Sequence, residues 1–296
     1  LKNAVGIAAV LFLLLSLSYD ARSFSAFNQE AGFVLNSEYF SADNYKEKNF
    51  SLSNGFELGK FKSANFSGGV EFSGKWFGER LNLPGVYQVK RLNSAGASAN
   101  MNISDFTFTT GISSLSDKIF NSNREILWNT GVIYDYNINE KKSWKIGINY
   151  ISRGKYRIFP VIAYQYIGEK FLLMFPLFCQ YNISDKLFAN LGAEGMNGLS
   201  FSMNYKLQED MTVSAFVKMT GEEYFISGRT ETDEWLSIEK KSLGLKLSKK
   251  INNIDYGVCA GYLFSSKYFC EDEDSRYFRN EISDSMFGGF SISGKF

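Results

Sequence analysis

Ten charged residues stand among small and polar neighbours in this chain: Glu57, Glu71, Lys75, Asp135, Lys145, Arg157, Glu194, Lys218, Lys246 and Asp255. Carboxylates and amines in such positions could transfer protons, hold a cation, neutralise one another or line an aqueous passage. The chain has no histidine, and so lacks the side chain whose ordinary pKa suits proton transfer near neutrality. Serine–histidine hydrolysis and histidine-ligated metal sites are therefore impossible. Carboxylate-only or lysine-based catalysis stays open in principle, but no paired motif supports it. The acidic run Glu271 to Asp274 lacks the ligand spacing and turn glycine of a calcium loop, and reads as a solvated loop. No catalytic residue, metal ligand or cofactor site is expected. Two uses of the charges are left. They form a mixed-sign lumen lining, with Glu57, Glu71, Lys75, Lys145, Arg157, Glu194, Lys218 and Lys246 as its members, or they are internal salt bridges filling a closed interior.

The elements that carry these residues alternate with period two. Phe50, Leu52, Phe56 and Leu58 oppose Ser51, Ser53, Gly55 and Glu57, while Phe66, Val70, Phe72 and Trp76 oppose Ser67, Glu71, Ser73 and Lys75. The pattern returns in Trp144 to Tyr150, Val213 to Met219, Leu243 to Leu247 and Ile254 to Phe264. Short polar turns such as "IGEK", "NISDKL" and "LQEDM" join many of these segments, and longer connections are expected at 78–85, 112–125, 220–235 and 265–284. Pro176 interrupts 171–182, which is either one bulged strand or two short strands at a tight turn. After residue 26 no stretch holds the ~18 apolar residues of a membrane helix.

Composition agrees with strands. Aromatic residues make up 17%, with 28 Phe and 17 Tyr, and only 3 Pro interrupt the ladder donors. Lys and Arg total 32 against 31 Asp and Glu, so no net field recruits nucleic acid. Residues 1–23, with Lys2 ahead of an apolar run from Ala4 to Leu17, read as a signal peptide whose boundary falls between 18 and 26. Residues 24–296 then form one domain. Three cysteines cannot complete a disulfide framework; Cys179 and Cys259 fall in strand patterns and Cys270 in a polar connection.

A soluble sandwich also alternates, but its strands are shorter and its second face is seldom so rich in Gly and Ser. Long strands, an apolar outer band, aromatic girdles and a polar inner face fit an all-β, closed antiparallel transmembrane β-barrel. The four Trp residues, at 76, 128, 144 and 235, are expected in the girdles. At ~20–25 residues per strand and connection, ~272 residues make 11–14 strands, with 12 expected and 14 next.

The last residues, "SMFGGFSISGKF", end on an aromatic ring with Phe290 and Ile292 at alternate positions before Phe296. In this the chain resembles bacterial outer-membrane β-barrel proteins. The resemblance implies that Phe290, Ile292 and Phe296 are the signal read by the barrel-assembly machinery, and that outer-membrane lipid surrounds the folded chain. Gly294 departs from the pattern by being small. A narrower stretch, Arg157 to Gly195, resembles an uncharacterised outer-membrane barrel family through Phe175, Pro176, Tyr181, Gly192, Ala193 and Glu194. The function expected is a passive, porin-like channel for small solutes; the alternative is a closed accessory barrel that binds a partner through its loops. Deleting Phe296 should slow membrane insertion in cells while leaving refolding in detergent micelles near normal. Precursor accumulation and in-vitro refolding yield check this, and loss of both together would make Phe296 a packing residue.

Overall fold

Strands with an apolar outer face satisfy every backbone donor in lipid only when the sheet closes on itself. The computed structural model describes residues 31–83, 88–123, 125–152, 157–193, 198–227, 235–271 and 276–295. Its segments are β1 (Gly32–Ser41), β2 (Lys46–Phe61), β3 (Ala64–Asn82), β4 (Gln88–Ile103), β5 (Phe106–Ser116) and β6 (Ile126–Asn139). There follow β7 (Lys142–Ile151), β8 (Ile158–Ile167), β9 (Phe171–Phe175), β10 (Phe178–Asn182), β11 (Leu187–Ala193) and β12 (Leu199–Gln208). The last are β13 (Met211–Phe225), β14 (Trp235–Ile251), β15 (Ile254–Glu271), β16 (Arg276–Ile282) and β17 (Ser285–Lys295).

Neighbours in sequence pair antiparallel, and β1 pairs with both β2 and β17. β16 and β17 lie end to end along β15 and act as one interrupted strand. The sheet is therefore a closed barrel of 16 strands, not 12. The lower count fails for two reasons. Tight turns of two residues, such as 62–63, 104–105 and 252–253, use less chain than allowed for. Around Pro176 the chain makes two strands of 5 residues each, so the tight-turn alternative holds there.

Register partners also fix the tilt. From Gly32 they run through Gly55, Gly69, Ser98, Gly111 and Asn129 to Ile151 at the far end of β7. From Lys142 at the near end of β7 they run through Tyr166, Leu173, Cys179, Leu191 and Phe201, then Val217, Leu243, Tyr262 and Met286, to Ser41 at the far end of β1. Nine residues separate the two positions in β7 and nine those in β1, a stagger of 18 residues round the ring. Such a shear tilts the strands by roughly 35–45°.

Near the end that holds Gly32 and Lys295, apolar residues face out. Val70, Phe72, Leu243, Leu245, Leu247, Val258 and Phe290 are all exposed, Leu245 to 61%. Trp144 is exposed near this end and Trp76 and Trp128 towards the other, and Trp144 packs against Tyr164 with ring centroids 5.0 Å apart. On the opposite face the line Asn36–Ser51–Ser73–Ser94 crosses β1 to β4.

Towards the other end the pattern inverts. Phe77, Leu81, Leu92, Leu236, Ile238, Leu263, Tyr268, Cys270 and Phe287 turn inward and are buried together. The upper parts of β2–β5 and β13–β16 fold around this core as a collar. A parallel bridge between Ser116 and Phe225 closes one side, reinforced by the Asp117 carboxylate, which accepts from the Ser227 amide at 2.7 Å and hydroxyl at 2.8 Å. The Asn44 side chain closes the other, donating to the Glu281 carbonyl at 3.1 Å and accepting from the Ser283 amide at 2.9 Å.

Stretches expected as loops are thus largely strand. β3 runs to Asn82, β13 to Phe225 and β15 to Glu271. Cys270 is fully buried in β15 rather than set in a polar loop, and the three cysteines are free thiols. Trp235 stands in the collar beside Phe225, with ring centroids 6.3 Å apart, and not with the other Trp residues. The face assignment predicts unequal damage from a new charge. Phe72→Lys should lower the unfolding free energy in detergent–lipid micelles by ~2–4 kcal/mol, whereas Ser73→Lys should be tolerated. Urea unfolding followed by Trp fluorescence distinguishes the two.

Candidate functional site

The inner face below the collar is built from short polar side chains, because strand alternation turns Ser, Asn and Lys inward wherever the outer partner is apolar. They enclose a cavity of ≈ 750 Å³. Its wall is Asn36 and Glu38 on β1, Ser51 and Ser73 on β2 and β3, Asn190, Ser200, Ser202 and Asn204 on β11 and β12, and Ser214, Lys218, Lys246 and Cys259 on β13 to β15. Small residues make the room. A Cβ at Gly257 would come within 2.6 Å of Lys246 Cε, and one at Gly289 within 3.0 Å of Glu38 Cγ and 3.2 Å of Cys259 Sγ. Glu38, Lys246 and Cys259 therefore share one level of the lumen, on strands joined through Gly289.

Where the cavity meets the collar core sits an ionic network. Glu47 is fully buried and accepts from the Tyr45 hydroxyl and from Lys240 Nζ. Lys75 Nζ lies 3.6 Å from Glu47 and 3.0 Å from Glu222. Lys240 Nζ also stands 4.3 Å from the centre of the Phe40 ring, a cation–π contact. Two ammonium groups and two carboxylates thus balance at the boundary between a polar lumen and an apolar plug, where an unpaired charge would be costly.

The opposite half of the barrel is tighter. Asn100, Thr109, Ile133, Asn149, Val161 and Ala163 point inward and are buried. Nearer the chain termini, Lys145 Nζ pairs with Asp135 at 2.6 Å in a smaller cavity of ≈ 230 Å³ beside Lys141, Lys142 and Gln165.

The eight residues proposed for the lumen are distributed as follows. Lys75, Lys218 and Lys246 line the main cavity, and Lys145 the smaller one. Glu71 lies on the inner face across from Gly96, where a Cβ would meet its carboxylate oxygen at 3.0 Å. Glu57 pairs with Ser67 on that face and is exposed near the terminal end. Arg157 is exposed just ahead of β8, its carbonyl accepting from the Ile151 amide at 2.8 Å. Glu194 lies outside the described residues, as do Phe296 and most of the acidic run, 272–274. Asp255 is exposed and faces Ser293. Phe290 and Ile292 belong to the outward set of β17, opposite Val258 and Tyr256.

Sequence reading missed Glu47, Glu222 and Lys240. Each sits in a charged stretch, "NYKEK", "GEEYF" and "IEKKS", which reads as a surface turn. Lys240 does share phase with Leu236 and Ile238, and that shared phase was the available signal.

No protein-family model matches the sequence, and no curated protein matches it. Among solved structures the chain is similar to the KdgM porin, at 11% identity over 90% of this chain and 99% of that one, with a TM-score of 0.27. It is also similar to an outer membrane channel from Pseudomonas putida F1, at 8% identity over 92% and 97%, with a TM-score of 0.37. A Rh. blastica porin variant aligns at 6% identity over 90% and 99%, with a TM-score of 0.33.

The network makes a stability prediction. Glu47→Gln should strand Lys240 without a counter-charge and cost ~3–5 kcal/mol, as removal of one member of a buried pair does. Adding Lys240→Met should restore most of the loss. Unfolding midpoints of the single and double variants check the coupling, and additive losses would show that Glu47 and Lys240 act independently.

Proposed function

We propose that this chain is a non-enzymatic, porin-like channel in the outer membrane of a diderm bacterium, passing small polar solutes. The observation that carries the reading is the inversion across the wall: apolar and exposed outside, Ser, Asn and Lys around a ≈ 750 Å³ cavity inside. Short turns at the terminal end and, apart from the two-residue turn at 176–177, longer connections at the other match periplasmic and external sides respectively. Lipid is then the constant partner of the outer face, and Phe290 and Ile292, with Phe296, are the residues offered to the barrel-assembly machinery.

The collar core stands across the external end over β2–β5 and β13–β16. A solute path therefore leaves the lumen beside the collar, over the shorter strands β7–β12. The same packed core favours a second reading, a closed accessory barrel. Conductance of refolded protein in planar bilayers separates them. Reproducible current steps are expected, and Lys218→Glu with Lys246→Glu should shift reversal potentials towards cation selectivity. Correctly folded protein without steps would support the closed barrel.

A further inference from the structure

The barrel wall is not of even height. β8 has 10 residues but pairs with β9 only through Tyr164–Ile167, and β9 ends at Phe175. The hairpin turns at once, with Leu177 donating to the Met174 carbonyl at 2.7 Å and accepting from Ala193 at 2.9 Å. Five residues rise only ~17 Å along a strand, and less along the normal of a tilted barrel whose apolar band is ~25 Å tall. Ile158, Pro160 and Ile162 therefore climb past the end of their neighbour. Ile158 and Ile162 are exposed to 62% and 46%, so the lipid-facing band continues above the Phe175 turn. Among the described residues the wall has a notch beside the upper half of β8.

The sequence equips the notch edge. Ile151 donates to the Arg157 carbonyl and Ile167 to the Lys141 carbonyl, so odd-numbered residues of β8 bond towards β7 and even-numbered ones towards the notch. Pro160 has no N–H to leave unpaired there, and proline in a strand belongs at such an edge.

Inside, the sill of the notch departs from the polar lumen. Register partners Gln165, Met174, Phe178, Gly192 and Ser200 form one inward line. Leu172, Met174 and Phe178 thus make an apolar inner patch, Gln180 and Asn182 stand between it and Phe188, bonded to each other at 2.9 Å, and Phe188 and Ser200 already belong to the main cavity. From lipid inwards the order is apolar notch, apolar sill, then Ser and Asn with Lys218.

The geometry points to a lateral port: a single-chain amphiphile from the outer leaflet lays its acyl chain over Leu172, Met174 and Phe178 and sets its polar head among Ser200, Ser202 and Asn204. A wholly polar solute would need neither the gap in the wall nor the apolar sill. The site shares the cavity with the channel reading but does not require conduction, so a non-conducting barrel can still bear it out.

The test uses the full chain in phosphatidylcholine vesicles with a palmitate analogue carrying a diazirine at the chain end, and mass spectrometry to locate adducts. Outward Leu173 and Tyr181 serve as positive controls, and inward Thr109 and Asn149, on the continuous wall, as negative controls. Met174 and Phe178 should be labelled several-fold above Thr109 and Asn149, and excess unlabelled palmitate should abolish that labelling while leaving Leu173 and Tyr181 marked. Labelling of Met174 and Phe178 no greater than that of Asn149 overturns the port. Inward labelling that palmitate does not compete away overturns the binding site.

Discussion

Backbone hydrogen bonding in lipid is the constraint from which the rest of this molecule follows. Each donor and acceptor within the apolar layer must be paired inside the protein. The chain meets this by pairing β1 with β17 over the whole of Gly32–Ser41, so that first and last strands close the ring. The stagger of the ladder then sets strand tilt and lumen width together. Where the ladder stops, at the β9–β10 turn, the exposed edge carries Pro160, which removes one of the donors that closure would otherwise have to satisfy. Among the described residues, the end of that ladder and the proline of β8 fall side by side.

A second consequence is the change of solvent along a single strand. β14 turns Leu243, Leu245 and Leu247 outward, and then Ile238 and Leu236 inward. No residue is inserted between them in β14; the odd-numbered leucines and the even-numbered pair simply occupy opposite faces. Below, the apolar face meets lipid. Above, water surrounds the strand and the hydrophobic effect draws the apolar face to the interior. The collar is therefore an ordinary packed core on top of an inside-out one.

Charge is placed at the join between those two regimes. Glu47, Lys75, Lys240 and Glu222 neutralise one another where the lumen ends and the plug begins. Lys218, Lys246 and Glu38 lie lower, around open space. Pairing recurs towards the chain termini, where Lys145 meets Asp135 at 2.6 Å.

The sequence by itself determined the class of structure. Period-two alternation in Phe66–Trp76 or Val213–Met219 marks which face meets lipid, because a strand can present only two faces. The missing histidine set the chemical limits just as directly. Strand number, collar and notch were decided by tertiary structure. Alternation within "ETDEWLSIEKK" or "SSKYFCE" reads as loop until the ring brings the far halves of β13–β16 against those of β2–β5 and gives their apolar residues a common interior. Glu47 and Lys240 are 193 positions apart in the chain, and only closure makes them partners. The height of a wall is likewise a relation between neighbours: ten residues in β8 beside five in β9 make an opening that neither strand contains alone.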